Sequence, residues 1–273
     1  MRDGKGAHMK CYLINLDRAP ERLARMTAIL ESFDIPFERV PATDAKQHTF
    51  NERAVSSKTP SGQPALVGGD IACGFSHVEC LTRIVEGSDQ YAAILEDDLH
   101  LASDIKSYLN SAEWIPEGSD IIKLETFDEP TLLGPSIKKM PVGRIIAPLL
   151  KGHFGAVLYI ISRDAARRIL QEFDPEVEYI DVYLFETILE RYRVYQVSPA
   201  PAIQDNIGGF KSATFLTSGI APDRRDQHVV KYRGWAKTKR ETKRVFSRIC
   251  YFGKIGFLRL TKGQRFGKVR YRA

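Results

Sequence analysis

The sequence predicts an α/β fold with a mainly parallel sheet flanked by helices on both faces. Three observations carry this. Short apolar runs alternate with longer segments of helical periodicity along most of the chain. The runs read as strands buried on both faces rather than as alternating half-buried ones. Polar sets follow the runs directly, at Asn15-Asp17-Arg18, Asp44, Glu96-Asp97-Asp98 and Glu125. In open parallel sheets, ligands sit beyond the carboxyl ends of the strands.

Lys10 to Leu16 (KCYLINL) is the first strand. A helix follows, with Asp17 as its expected cap, Pro20 in its first turn and Leu23, Met26, Ile29 and Leu30 at helical spacing. Pro36 to Val40 is a second strand, and Thr43 to Ala65 is a polar loop broken by Pro60, Gly62 and Pro64. Gly68 to Val85 is helical, with Ile71, Phe75, Val78, Leu81, Ile84 and Val85 on one broad face. Further strands are expected at Tyr91–Leu95, Asp120–Leu124, Arg144–Leu150, Ala156–Ile161 and Val194–Val197. Helices are expected from a cap at Ser162 through Leu170, and over Asp181–Tyr192.

The 273 residues, 43% hydrophobic and 27% charged, suffice for a sizeable core and exclude a disordered or fibrous chain. The net charge of +6 hides a split. Residues 221–273 hold 17 Lys/Arg against 3 Asp/Glu, a net of +14, so residues 1–220 carry −8. The expected organisation is an acidic globular body over residues 10–220 and a basic amphipathic tail over 221–273. In that tail, Trp235, Phe246, Tyr251, Phe252 and Phe257 are interleaved with Arg248, Lys254 and Arg259. Such a segment suits an anionic membrane surface. A helix packed on the acidic body is the plainer alternative, and no nucleic-acid motif accompanies the charge.

Cys11, Cys73, Cys80 and Cys250 form no C-x-x-C pair, so neither a disulfide nor a zinc framework is expected. Met1 to Lys10 is polar and lacks the form of a signal peptide, and no run is long enough to span a membrane. The expected location is cytoplasmic. Gly6-Ala7-His8-Met9 reads as a vector-derived leader with Met9 as the natural start.

Glu96-Asp97-Asp98 is the sharpest feature. Three consecutive carboxylates repel unless solvated, hydrogen-bonded or bound to a cation. Mn²⁺ or Mg²⁺, which prefer oxygen ligands, could bridge such a cluster to a diphosphate. The plainer reading is an acidic first turn of a helix.

The ordered set of motifs resembles glycosyltransferase family 25, the bacterial lipopolysaccharide and lipooligosaccharide glycosyltransferases and their collagen-modifying relatives. The matching pieces are Tyr12-Leu-Ile-Asn-Leu-Asp-Arg18 with Pro20-Glu-Arg22, then Pro41-Ala-Thr-Asp44 and Gly69-Asp-Ile-Ala-Cys-Gly-Phe-Ser-His77. Ala93-Ile-Leu-Glu-Asp-Asp-Leu99, Lys123-Leu-Glu125 and Gly155-Ala-Val-Leu-Tyr-Ile-Ile-Ser162 complete the order. Asp70 and Ala72 depart from the usual Glu and Gly of the family signature.

The resemblance implies a GT-A-like fold, a UDP-sugar donor, a divalent cation (Mn²⁺ or Mg²⁺) and inverting transfer of a hexose, galactose first, to a glycan or lipid-linked oligosaccharide. Glucose transfer, another UDP-sugar, a metal-independent mechanism and a non-catalytic membrane scaffold are the alternatives. The residues expected at the metal are Asp98 and Glu96. Asn15, Asp17, Arg18, Asp44, Ser76, His77 and Asp97 are assigned to the donor, with Arg22 beside them. His153 is assigned to the acceptor, and Gln204-Asp205 lie near the site. Asp181 is the expected base and Glu125 its rival. The plainer readings are a helix cap for Asp181, a salt bridge to Lys123 for Glu125, and a satisfied core residue for His77.

Overall fold

Alternate residues of the first strand serve two different cores. In β1 (Lys10–Asn15), Tyr12 and Ile14 pack into one apolar cluster while Cys11 and Leu13 pack into another. This double burial is what a central strand between two helical layers requires. The computed structural model describes residues 8–48, 50, 58–205, 207 and 263–273.

The elements follow in chain order as α1 (Pro20–Ser32), β2 (Glu38–Pro41), α2 (Gly68–Glu86), β3 (Tyr91–Glu96), β4 (Leu99–Leu101) and α3 (Lys106–Leu109). Next come β5 (Ile121–Lys123), β6 (Glu125–Thr126), β7 (Pro130–Leu133), β8 (Lys138–Lys139), β9 (Ile145–Pro148) and β10 (Leu158–Ser162). The last are α4 (Arg163–Glu172), α5 (Ile180–Val182), β11 (Val194–Ser198), β12 (Ala202–Gln204) and β13 (Arg265–Lys268).

The main sheet runs β2-β1-β3-β10-β5-β11-β9-β8. β10 and β9 run against the other strands, so the sheet is mainly parallel with two reversed members. One face is covered by α2 and α4, through Cys80, Leu81, Ile84, Ala165, Ala166 and Ile169. The other is covered by α1, through Met26 and Leu30, together with Tyr108 and Trp114. Each fully buried Leu or Ile in these layers contributes roughly 1.5–3 kcal/mol.

Two local expectations change. Asp17 does not cap α1: the residue ahead of the helix is Ala19, and the exposed Asp17 pairs with Arg39 of β2 instead. The helix expected over Asp181–Tyr192 is helical only at α5, followed by a wide π-type turn over Tyr183–Thr187. Tyr183, Leu184 and Phe185 are all buried there. A regular helix points consecutive side chains apart, so a widened turn suits this run better. Ser162 does cap α4, its hydroxyl accepting from Ala165 N–H at 3.1 Å.

A smaller sheet, β4-β12-β6, ties the ends of the main strands together. β12 runs antiparallel to β4, setting Gln204 opposite Leu99, and parallel to β6, setting Ala202 opposite Glu125. The segments that follow β3 and β5 are thereby fixed to one another.

Most of the basic stretch, residues 208–262, lies outside the described residues, and the expected body–tail boundary near residue 220 lies there too. Residues 263–273, read from sequence as part of that tail, pack on the body. β13 pairs with β7, Val269 is 1% exposed, and Thr126 Oγ1 donates to the Val269 carbonyl. Arg144, fully buried, holds the end in place. It grips Asp104 at 2.7 and 2.6 Å and donates to the carbonyls of Pro199, Ala200 and Arg272. Removing one partner of such a buried pair costs about 3–5 kcal/mol. Arg144→Ala is therefore expected to lower the midpoint of urea unfolding sharply, and deletion of residues 264–273 to lower it as well. An unchanged midpoint in both would show that the terminal strand adds nothing to the fold.

Candidate active site

The site lies at the carboxyl ends of β1, β2, β3 and β5, on one edge of the sheet, and is built around the three acids that end β3. Each acid has a different set of partners.

Asp97 is held on both oxygens. Asn15 Nδ2 donates to Oδ2 at 2.7 Å and Arg22 Nη1 donates to Oδ1 at 2.9 Å. Burial raises its pKa, and Arg22 and Asn15 oppose that rise without cancelling it. Asn15 is itself fully engaged: its amide also donates to the Ala19 carbonyl at 3.0 Å, and its oxygen accepts from Arg39 at 3.1 Å. Both residues therefore brace the β1–α1 turn against β3.

Asp98 is held on one side only. Gln204 Nε2 donates to Oδ2 at 2.9 Å, while the buried Oδ1 has no hydrogen-bond partner. Burial, then the neighbouring Glu96, pushes this carboxyl up to about 7. An unpaired buried carboxylate oxygen is costly. A hard divalent cation would satisfy it and reverse the effect of Glu96.

Glu96 is partly open to solvent, and His77 Nε2 lies 3.2 Å from its Oε1. The other ring nitrogen of His77 lies 3.0 Å from the Tyr159 hydroxyl. His77 is fully buried on α2, so it orients Glu96 from the interior. Glu96 and Asp98 both offer carboxylate oxygens, the donor type that Mn²⁺ and Mg²⁺ prefer.

On the opposite side, Lys123 and Glu125 form a buried ion pair, both at most 1% exposed. Lys123 also donates to the carbonyls of Phe154 and Gly155. Burial draws the Lys123 pKa down and pushes Glu125 up to about 7, with Asp181 and Glu96 adding to the rise. Glu125 Oε2 is buried without a partner. Gly155 has φ +91°, and a Cβ there would stand 2.6 Å from Glu125 Oε1, so only glycine fits this approach.

Asp181, half-buried at the start of α5, accepts from Gly155 N–H at 3.0 Å and from Val182 N–H at 2.9 Å. The Gly155 loop therefore links the two candidate bases, and Asp181 is the one with access to solvent.

The remaining expected residues are more peripheral. Arg18 donates to Asp44 at 2.7 Å, and Lys46 N–H donates to the same carboxylate at 3.0 Å. Burial pushes Asp44 upward, but these donors outweigh it and leave its pKa low. Ser76 Oγ accepts from Thr43 N–H at 2.9 Å, fixing the loop that leads to Asp44.

His153, expected at the acceptor, is 1% exposed, and its nitrogens face Gln196 at 3.1 Å and Thr126 at 3.5 Å. Burial, then Lys123, pulls its pKa down to about 3. Asp205 accepts from His100 at 2.6 Å, and its N–H donates to the Asp98 carbonyl at 2.8 Å, so it supports the acidic turn from below.

Tyr159 is the site residue missed from sequence, and Lys123 was expected only as the salt-bridge partner of Glu125, which it is. A lysine inside Ile-Ile-Lys-Leu is a visible anomaly in a buried strand, since a buried ammonium needs a partner. Tyr159 carries no such signal.

Residues 8–184 match the profile of glycosyltransferase family 25 (LPS biosynthesis protein). The chain belongs to glycosyltransferase family 25. This family member is 31% identical over 211 residues to the lacto-N-neotetraose biosynthesis glycosyltransferase LgtE of Neisseria gonorrhoeae, covering 72% of the chain and 74% of that protein. It is 30% identical over 186 residues to the lipooligosaccharide biosynthesis protein lex-1 of Haemophilus influenzae, covering 64% of the chain and 61% of that protein. Its activity is that of a glycosyltransferase of LPS/LOS biosynthesis, carried on the mainly parallel α/β sheet described above.

The coupling around Glu125 predicts a pH effect. Its folded pKa, near 7, stands above the ordinary 4.5, so between those values the folded state holds a proton that the unfolded state has lost. This group therefore makes stability fall as pH rises from 4.5 to 7. In thermal unfolding across that window, Glu125→Gln should lose part of the decline seen in the wild type. Parallel curves for the two proteins would contradict the assignment.

Proposed function

We propose that this enzyme transfers a hexose, galactose first, from a UDP-sugar to a hydroxyl of a lipooligosaccharide or related glycan, with inversion at the anomeric carbon. The observation that carries the reading is the buried, unpaired Oδ1 of Asp98 beside Glu96 at the end of β3. Such a group calls for a cation, and a nucleoside diphosphate is the leaving group that needs one. LgtE and its relatives, whose names specify lacto-N-neotetraose biosynthesis, support the glycan class.

In this reading Asp98 and Glu96 hold Mn²⁺ or Mg²⁺, which when bound supplies charge neutralisation for the departing UDP. Asp97 keeps Asn15 and Arg22 in place, and the half-buried Arg22 is the cation nearest the diphosphate. Asp181 accepts the proton of the acceptor hydroxyl as its oxygen bonds to the anomeric carbon and the bond to the β-phosphate oxygen breaks. Gly155 N–H and Val182 N–H orient that carboxylate for the task. Glu125, hidden behind Lys123, sets the charge of the pocket and positions the Gly155 loop.

A panel of UDP-sugars assayed by UDP release with lactose-type and lipooligosaccharide acceptors tests the reading. UDP-galactose should give the fastest turnover. General-base removal costs roughly 10²–10⁴ in rate, so Asp181→Asn should lose that much kcat while UDP affinity is retained. Substantial turnover in Asp181→Asn, with loss in Glu125→Gln, would transfer the role to Glu125. Absence of both UDP and Mn²⁺ binding by the wild type would favour a non-catalytic scaffold.

The basic segment over residues 221–262 gives the enzyme a means of reaching a lipid-linked acceptor at the inner membrane surface. No helix among the described residues is long and apolar enough to cross a membrane. The full chain should sediment with anionic vesicles at low salt and be released at high salt. Equal behaviour with neutral vesicles would remove the membrane role.

A further inference from the structure

We propose that Cys73, His77 and Glu96 form a second cation site, selective for Zn²⁺, whose occupation withdraws Glu96 from the catalytic cation and so inhibits transfer. The inhibitory consequence rests on the function proposed above. The Zn²⁺ site itself does not.

Cys73 and His77 stand four residues apart on α2, which places them on one face of the helix, one turn from each other. That face looks onto the end of β3, where Glu96 emerges. One ligand atom from each of the three residues lies within 4.8 Å of the other two. This spacing lets a small movement of side chains close around one ion.

The chemistry of the donor set differs from that of Glu96 and Asp98. A thiolate, an imidazole and a carboxylate suit Zn²⁺, whereas Mn²⁺ and Mg²⁺ favour oxygens alone. The Tyr159 hydroxyl, 3.0 Å from His77 Nδ1, is an outer partner of the kind that orients a ligating imidazole, leaving Nε2 directed at Glu96. The ring is also stacked 5.8 Å from Tyr159, so its plane is fixed from behind.

Access is graded in the same sense. His77 is buried, while Cys73 and Glu96 are partly open, so an ion would enter from the side of the acidic turn. The other described cysteines do not compete. Cys11 and Cys80 are fully buried, and burial pushes both thiols far up, Cys11 to about 12. Glu96 belongs to both donor sets, and in the proposal its carboxylate turns to the Zn²⁺ beside Cys73 and His77 and away from the cation at Asp98, which makes the two ions antagonists.

The test uses Co²⁺ as a spectroscopic substitute on the full, reduced, metal-free chain, followed by Zn²⁺ displacement. One equivalent should produce a thiolate-to-cobalt charge-transfer band that Zn²⁺ abolishes. Cys73→Ser should lose the band and bind Zn²⁺ at least tenfold more weakly, and Cys73→Ala should do the same. A Cys250→Ser control should keep the band. Absence of the band in the wild type, or its persistence in both Cys73 variants, would overturn the site. In turnover assays with Mn²⁺, Zn²⁺ should inhibit the wild type and lose at least tenfold potency against Cys73→Ser. Unchanged potency would overturn the antagonism. A chain that shows the band but no transferase activity would contradict the proposed function and leave the zinc site standing.

Discussion

Three carboxylates in succession at the end of a buried central strand are the constraint around which the rest is arranged. Their mutual repulsion has to be offset within a few ångströms, and water has limited access. The protein offsets each one differently. Asp97 is enclosed by an amide and a guanidinium, Glu96 leans on a histidine and reaches solvent, and Asp98 keeps one oxygen unpaired. Elements distant in sequence converge for this purpose. β1 ends in Asn15, α1 carries Arg22 in its first turn, α2 brings His77, and β12 returns to place Gln204. Full satisfaction of the three would make a rigid structural turn. The incomplete satisfaction of Asp98 leaves a charge that a ligand completes.

The other half of the site repeats the theme with a single ion pair. Lys123 is buried because Glu125 and two loop carbonyls receive it, and the loop takes its shape because Gly155 adopts a conformation closed to other residues. Asp181 is then oriented by the same glycine. Glu125 follows β5 directly and is tied through β12 to the segment after β3, so the two halves are joined by backbone. The terminal strand adds to this frame. It docks through Val269 beside Thr126 and is gripped by Arg144 through the Arg272 carbonyl.

Much of this was legible in the sequence because it depends on local pattern. The apolar runs at Tyr12–Leu16 and Tyr91–Leu95 allowed no alternation, and double burial followed. The acids at 96–98 stood out because charge is expensive at a strand end. What depends on long-range pairing was hidden. Nothing near Asp97 marks it as the internal tie and Asp98 as the open ligand, since Asn15 and Gln204 are both far away in sequence. His153 looked exposed between glycines, yet the Gln196 side chain reaches it from β11. Asp17 looked like a cap, but Arg39 on the next strand competes for it. The reversed strands β9 and β10 follow from tertiary pairing that short apolar runs do not encode. The cysteines read as outside any disulfide or zinc framework from their spacing, and only the fold sets Glu96 beside Cys73 and His77.

The central claim is that Asp98, through its unpaired oxygen, is the ligand on which cation binding depends, whereas Asp97 is an internal support. Paramagnetic resonance of free Mn²⁺, titrated with the full chain in the presence of UDP, measures this directly. The account predicts a Mn²⁺ site in the wild type that disappears in Asp98→Asn while that variant keeps its native unfolding midpoint. Wild-type Mn²⁺ affinity in a folded Asp98→Asn would contradict it.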